Sequence, residues 1–379
     1  MIKVLNIISD SNIGGAGKCL LNFIKYYNRD EFEVKVVVPA GSLLIPEIEK
    51  LGCETISADC IAEKSFDKRA VRILQSIIKD EKPDIVHTHG NLSGRVAAKI
   101  CGRKIIYTRH SVFPVSPKIS KGLGKFINKT MNEFLSDDII AVAEAAKDNL
   151  TEGGISPNKI KVILNGVEAV EECSEDEKNN TMEQYGISRD DFVIGIMARM
   201  EPYKGHKYLI EAAEILKSKG YKIKVLMAGT GSCEGELKSM VMEKGLQDTV
   251  VFTGFINNVQ NVLNIMDIQA NASYGTEATS LALLEGMSLG IPAVVSDYGG
   301  NPGVISQGEN GYIFKLKDSK DMAKYIETLI TDREKYEYMS ERAKEIFNGK
   351  FTAQIYAANI EDVYRNVLGG KGSHDKKEV

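Results

Sequence analysis

The chain has 379 residues, long for one domain and ordinary for two. Its 43% hydrophobic content can fill sizeable cores, while a net charge of -4 argues against bulk nucleic-acid binding. The six cysteines show neither C-x-x-C nor zinc spacing, which suits reduced thiols in a cytosolic protein, and no apolar run reaches the ~20 residues of a membrane span.

Met1-Ile2-Lys3-Val4-Leu5-Asn6-Ile7-Ile8-Ser9 is too short and too soon polar for a signal peptide and reads as a buried strand. The loop that follows, Asn12-Ile13-Gly14-Gly15-Ala16-Gly17-Lys18, is glycine-rich. Its glycines would let backbone approach a phosphate, or would merely make a tight turn. A P-loop ATPase is disfavoured. Asn12 stands where the first glycine of that motif belongs, and Cys19 stands where its Ser or Thr belongs. Further strands are expected at 33–38, 53–57, 84–88, 104–108, 138–142 and 160–164. Helices are expected at 17–28, 43–51, 68–80, 92–101, 119–135 and 144–152.

Two of those strands end in histidine. In Asp84-Ile85-Val86-His87-Thr88-His89-Gly90, alternation puts His87 and His89 on one face. No third metal ligand is apparent, so a metal is not expected there. Tyr107-Thr108-Arg109-His110-Ser111 sets His110 just past the next strand. A strand-end hydrogen bond suits His87, whereas His89 and His110 suit the lining of a site. At 118–131, Lys118, Lys121, Lys125 and Lys129 recur at helical spacing opposite Ile119, Leu123, Phe126, Ile127 and Met131. That pattern fits an ordinary domain helix with an apolar core face, or a helix lying on an anionic bilayer.

The acidic stretch 168–183 reads as a surface linker. A second alternating series follows, with strands at 192–197, 222–228, 250–253, 267–271 and 292–296. Its helices are expected at 204–219, 234–244, 259–266, 280–288, 318–330 and 352–368. Alternation of this kind predicts parallel α/β sheets, which bind ligands beyond the carboxyl ends of their strands. Arg199 and Lys204 leave such an end together, and two cations there can neutralise a diphosphate. A Lys at a helix start opposes the helix dipole, which favours a functional reason for Lys204. The glycine turns Ala228-Gly229-Thr230-Gly231 and Thr253-Gly254-Phe255 could wall a base or be turns only.

Glu277-Ala278-Thr279-Ser280-Leu281-Ala282-Leu283-Leu284-Glu285 places one carboxylate in a loop and a second two turns into a helix. Thr279 and Ser280 between them are good N-cap residues. A helix N-terminus suits a phosphate, and flanking carboxylates suit sugar hydroxyls. The combination fits a nucleotide-sugar.

In this order and spacing the motifs resemble the retaining glycosyltransferases of family 4. The shared markers are Gly14-Gly15, His110, Asn165-Gly166-Val167, Arg199 with Lys204-Gly205, and Glu277 with Glu285. They continue through Gly286-Met287-Ser288-Leu289-Gly290-Ile291-Pro292, Gly299-Gly300 and Glu309-Asn310-Gly311. The resemblance implies the GT-B fold, an α/β architecture of two Rossmann-like doubly wound parallel-sheet domains facing across a cleft. It implies an acceptor-binding domain at 1–167, a linker at 168–183 and a nucleotide-sugar-binding domain at 184–350. A helix at 351–368 would return to the first domain, and a tail at 369–379 would be disordered. By the same resemblance, Arg199, Lys204 and the backbone of Gly15, beside Gly14, would hold the donor diphosphate. Glu277 would bind the donor sugar, Ala278, Thr279, Ser280 and Leu281 would line it, and Glu285 would bind the ribose. His110 would face the sugar, with His89 and Asn165 as cleft or acceptor contacts. The expected reaction is metal-independent transfer from a UDP-sugar to a glycan or lipid-linked acceptor, with retention and without a cofactor. The resemblance also favours a cytoplasmic enzyme touching an anionic membrane through 118–131. Thr279-Ser280 departs from the Phe-Gly usual in the family, and Gly303 stands where Glu is common, which bears on the sugar rather than the class. Alternatives are a nucleotide-sugar 2-epimerase on the same fold and a non-catalytic nucleotide-sugar-binding protein.

Overall fold

The computed structural model describes residues 1–62, 65–256 and 258–369. The chain forms two compact units, Met1–Val167 with the segment from Thr352 onward, and Glu168–Phe351.

The first unit alternates strand and helix. Its strands are β1 (Ile2–Ile8), β2 (Phe32–Pro39), β3 (Glu54–Ala58), β4 (Ile85–His89), β5 (Lys104–Arg109), β6 (Asp138–Ala141) and β7 (Ile160–Val162). Its helices are α1 (Gly15–Tyr26), α2 (Leu44–Lys50), α3 (Lys68–Glu81), α4 (Leu92–Ile100), α5 (Pro117–Ser120), α6 (Gly122–Phe134) and α7 (Glu144–Glu152). The sheet order is β3-β2-β1-β4-β5-β6-β7, with every pairing parallel. Strands such as β4 are buried along their whole length. A parallel sheet covered on both faces demands this, so the polar side chains of β4, His87, Thr88 and His89, are buried with its apolar ones.

The second unit contains α8 (Glu175–Gln184), β8 (Phe192–Met197), α9 (His206–Ser218), β9 (Ile223–Ala228), α10 (Glu234–Glu243), β10 (Val250–Gly254), α11 (Val259–Leu263) and β11 (Ile268–Asn271). It continues with α12 (Leu281–Ser288), β12 (Ala293–Ser296), α13 (Asn301–Val304), β13 (Gly311–Phe314), α14 (Ser319–Thr331) and α15 (Arg333–Lys350). The sheet order is β10-β9-β8-β11-β12-β13, again parallel. One apolar cluster centres on Leu209, Leu216, Met227 and Ile326, and another on Leu226, Leu263 and Met266.

The last helix, α16 (Ala353–Val367), belongs to the first unit. Tyr364 lies edge-on to Phe23 and Phe32. Arg365 pairs with Glu31, Glu361 and Asp362.

Three expectations need correction. The segment 168–183 is not a bare linker, because it carries most of α8 and packs within the second unit. Ser174 Oγ accepts from the Glu177 amide, and the Glu177 carboxylate accepts from the Ser174 amide. The acidic run is thus a capping box with carboxylates at the positive end of a helix. The helix expected at 119–135 is broken, since Lys121 is extended and Gly122 takes φ 54°. Glycine at 124 permits the resulting close approach, as a Cβ there would lie 1.8 Å from the Lys118 carbonyl oxygen. Finally, β13, α13 and the 18-residue α15 are additional elements. Only Met339, Ala343 and Phe347 of α15 are buried, a stripe one residue wide. Apart from Gly369, the tail expected to be disordered lies outside the described residues.

Candidate active site

Each sheet has one point where strand order reverses. In the first sheet, β1 lies between β2 and β4; in the second, β8 lies between β9 and β11. The loops leaving neighbouring strands there diverge, which opens a crevice beyond their carboxyl ends. Gly14 and Gly15 follow β1, and His89 ends β4. In the second unit, Arg199 and Lys204 follow β8, while Glu277 follows β11.

In the second unit the chain turns after β8 through a short 3-10 segment, Pro202–Lys204. Gly205 then enters α9 at φ 73°, and a Cβ there would lie 2.1 Å from the Ala272 carbonyl oxygen. Only glycine permits that approach, and it brings Lys204 against the segment after β11. Lys204 Nζ donates to Glu277 Oε2 at 2.7 Å. Ser273 Oγ donates to the same oxygen at 2.9 Å, and Asn271 Nδ2 lies 3.4 Å from it. Glu277 is 5% exposed. Its backbone is also held: the Glu277 carbonyl accepts from Gly300, and Gly299 at φ 59° brings its Cα too close to that carbonyl for any side chain. The Gly299-Gly300 marker thus fixes the loop carboxylate in place.

Arg199 is exposed and donates to the Tyr203 hydroxyl at 3.2 Å. Ser280 is the N-cap of α12, its Oγ accepting from the Leu283 amide at 3.4 Å. Ala278 is buried, and Thr279, Leu281 and Glu285 are half-buried.

In the first unit neither Gly14 nor Gly15 has positive φ, and a Cβ on Gly15 would meet open space. Backbone geometry therefore does not demand glycine at 15. Gly14 caps α1 with no side-chain bond to the first turn.

The three histidines stack, His87 on His89 at 4.5 Å and His89 on His110 at 5.1 Å between centroids. His87 is buried, bonded to the Tyr364 hydroxyl at 2.8 Å and to Thr108 Oγ1 at 2.6 Å, a structural role. His89 Nε2 faces Asn6 Oδ1 at 3.1 Å, and its Nδ1 lies 2.8 Å from His110 Nε2. With Asn6 Oδ1 facing it, His89 would carry its proton on Nε2 and accept on Nδ1, an orientation that leaves Asn6 Nδ2 buried without a partner. In that arrangement His110 would donate from Nε2; its Nδ1 is buried without a protein partner. Burial pushes His110 down to about 4 and His87 to about 3, and it holds His89 well below the imidazole range. All three rings are neutral at neutral pH. His110 is therefore suited to hydrogen bonding rather than to delivering a proton.

Asn165 is buried with an unpartnered Oδ1, next to Gly166, whose carbonyl accepts from Asn22. Among the described residues, no cluster of three or more His, Cys, Asp or Glu could hold a metal ion. All six cysteines are free thiols.

Sequence reading did not assign Ser273, Asn271, Tyr203 or Asn6. Asn6 left a signal, being a lone amide inside a buried apolar strand that must find a partner. Ser273 and Asn271 left a weaker one, as alternate residues at the end of β11.

Residues 142–346 match the family described as glycosyl transferases group 1, and residues 13–171 match glycosyltransferase family 4. The chain is 28% identical over 389 residues to the UDP-Gal:alpha-D-GlcNAc-diphosphoundecaprenol alpha-1,3-galactosyltransferase of Escherichia coli, covering 98% of each. It is 28% identical over 300 residues to the capsular polysaccharide biosynthesis glycosyltransferase CapM of Staphylococcus aureus, covering 76% of this chain and 78% of that one. Among solved structures, Anabaena Alr3699/HepE in complex with UDP superposes with a TM-score of 0.83 at 21% identity, over 96% of this chain and 100% of that one. The shared fold is GT-B.

Proposed function

The chain belongs to the group 1 glycosyl transferases, and on that premise we propose that it moves a sugar from a UDP-sugar to a hydroxyl of a glycan or lipid-linked acceptor, with retention and without a metal ion. The observation that carries this reading is the contact of Lys204 with Glu277 at the reversal point of the second sheet. A cation suited to a diphosphate touches a carboxylate suited to sugar hydroxyls, so both ends of the departing bond are served from one place. Arg199 supplies a second charge on the same loop, and the capped start of α12 adds its dipole. Positive charge aimed at a leaving diphosphate lowers the barrier because that charge grows in the transition state. His110, a neutral ring, is suited to assist by hydrogen bonding to the sugar.

The acceptor reading rests on likeness to the Escherichia coli relative, named for an acceptor carried on diphosphoundecaprenol. The surface of α5 and α6 supports a membrane contact. Leu123, Phe126 and Ile127 are 73%, 64% and 55% exposed instead of packing into a core. With Lys118 on α5, Lys121 at the break, and Lys125 and Lys129 on α6, that surface suits an anionic bilayer. Among the described residues, no helix is long and apolar enough to cross a membrane.

The direct test incubates the protein with a panel of UDP-sugars, with and without diphospholipid-linked sugars, and follows UDP release and product stereochemistry. Acceptor-dependent UDP release that survives EDTA, with the anomeric configuration kept, is the expected result. Epimerised sugar without an acceptor, inversion, or loss of activity on chelation restored by Mg²⁺ would each overturn the corresponding part.

A further inference from the structure

Beside the histidine stack, the first unit contains a cavity of about 340 Å³. Among its lining residues are Arg95 of α4 and Arg109 of β5, and among the described residues no Asp or Glu lines it. Arg109 immediately precedes His110, so the cavity adjoins the reactive end of the first sheet.

Arg95 is 5% exposed. Its Nη1 donates to Asn132 Oδ1 at 2.8 Å, and its guanidinium lies 4.2 Å from the Tyr107 ring centroid. Its Nε is buried with no hydrogen-bond partner. Arg109 donates from Nε to the Ser111 carbonyl at 2.8 Å and reaches Asn149 Oδ1 at 3.5 Å. Among the described residues, no carboxylate lies within ion-pair distance of either. Burial and the neighbouring Arg109 both disfavour charge on Arg95.

A buried guanidinium held only by neutral acceptors is costly unless a negative charge arrives to share it. Half-buried Arg109 lines the same cavity, and its like charge adds to the demand of Arg95 for an anion. Planar guanidinium forks match the oxygens of a phosphate, and two cations match its two charges better than the single charge of a carboxylate. Ile119 and Met131, on α5 and α6, also line this cavity. The same helices carry the exposed apolar surface. A phosphate seated here would therefore lie where a lipid chain could continue onto α6.

We propose that the Arg95–Arg109 cavity binds a phosphate or diphosphate group of the acceptor. The word acceptor rests on the transferase reading; the anion site does not.

The test titrates inorganic pyrophosphate into the full chain by calorimetry, with UDP at saturation to block any donor diphosphate site. Wild type, Arg109→Gln and Arg95→Gln are compared, and Tm and UDP affinity are measured for each. Binding to wild type that weakens at least about tenfold in Arg109→Gln, with UDP affinity unchanged, is expected from loss of one charge-assisted contact. Arg109→Gln carries the test if Arg95→Gln does not fold. Farnesyl diphosphate in a second arm separates the sources. Tighter binding than pyrophosphate assigns a lipid-linked phosphate, and equal binding assigns a soluble phosphorylated acceptor. Absence of pyrophosphate and farnesyl diphosphate binding, or equal binding by wild type and Arg109→Gln, overturns the site. If UDP itself fails to bind wild type, the donor assignment fails instead, and the Arg109 comparison is made without UDP.

Discussion

Lys204 and Glu277 were expected to serve different parts of the donor, yet they form one ion pair. Each is therefore also the other's counter-charge. Removing one partner of a buried pair leaves an uncompensated ion, which costs roughly 3–5 kcal/mol. Lys204→Met is expected to lose at least about a hundredfold in kcat/KM, the loss of one charged contact to a diphosphate. It is also expected to lower unfolding stability by about 2–4 kcal/mol, less than the full range because the pair is not wholly buried. Adding Glu277→Gln removes the stranded charge, so the double variant will regain stability of about 1 kcal/mol or more without regaining activity. Urea unfolding of the single and double variants measures this. A double variant less stable than Lys204→Met would show that the pair is not coupled. Arg199, exposed and bonded to Tyr203, has no such second duty. Arg199→Ala is expected to lose activity at nearly wild-type stability.

At the scale of elements, α5 and α6 depart furthest from an ordinary domain helix. Asn132 is the one buried residue of α6, and the apolar side chains that would normally form its core face are exposed. The break at Lys121–Gly122 divides the basic residues between two short helices, so Lys118 and Lys129 do not share a continuous face. Each Lys near an anionic surface contributes ~1 kcal/mol, and buried apolar area adds to it. Flotation with anionic vesicles at low salt is expected to carry the protein up, and high salt to weaken binding. Changing Leu123, Phe126 and Ile127 to Ser will reduce binding at either salt without lowering Tm, because these side chains pack against little. Retained vesicle binding in that variant would place the contact elsewhere.

The whole molecule carries an acid sensitivity built from its buried histidines. Burial lowers His87 to about 3, and His110 and His206 to about 4, with His89 pushed down in the same direction. Below pH 6.5 the unfolded chain takes up protons that the folded chain refuses. Stability from these groups is complete above about pH 6.5 and is lost as pH falls toward their folded values. Each contributes a slope of up to about 1.4 kcal/mol per pH unit across that window. Half-buried Asp10 and Asp267 are raised by desolvation and act in the opposite sense, but from carboxylate pH. Urea unfolding between pH 7.5 and 5 is expected to show declining stability, and His206→Gln to flatten the decline. A flat wild-type profile over that range would mean these rings are protonated in the folded protein.

Residue order alone determined the class of this fold. Buried parallel strands are written as local apolar runs, so β1, β4 and β8 were legible to within a residue or two. Arg199, Lys204 and Glu277 could be singled out as candidates because they follow the ends of β8 and β11, and Glu285 because it lies in the second turn of α12. Elements stabilised by distant partners were not legible. The narrow stripe of α15 and the short β13 look polar or irregular until their neighbours are present, and α8 looked like linker until its capping box closed. Only the tertiary structure decided that Lys204 meets Glu277, 73 residues away, and that Asn6 orients His89 across 83. It also decided that Arg95 and Arg109 share a cavity that no carboxylate lines among the described residues. Pairings of this kind arise from sheet order and from the close approach allowed at Gly205, so no local pattern encodes them. The cost of burying a charge then determines what each residue must do.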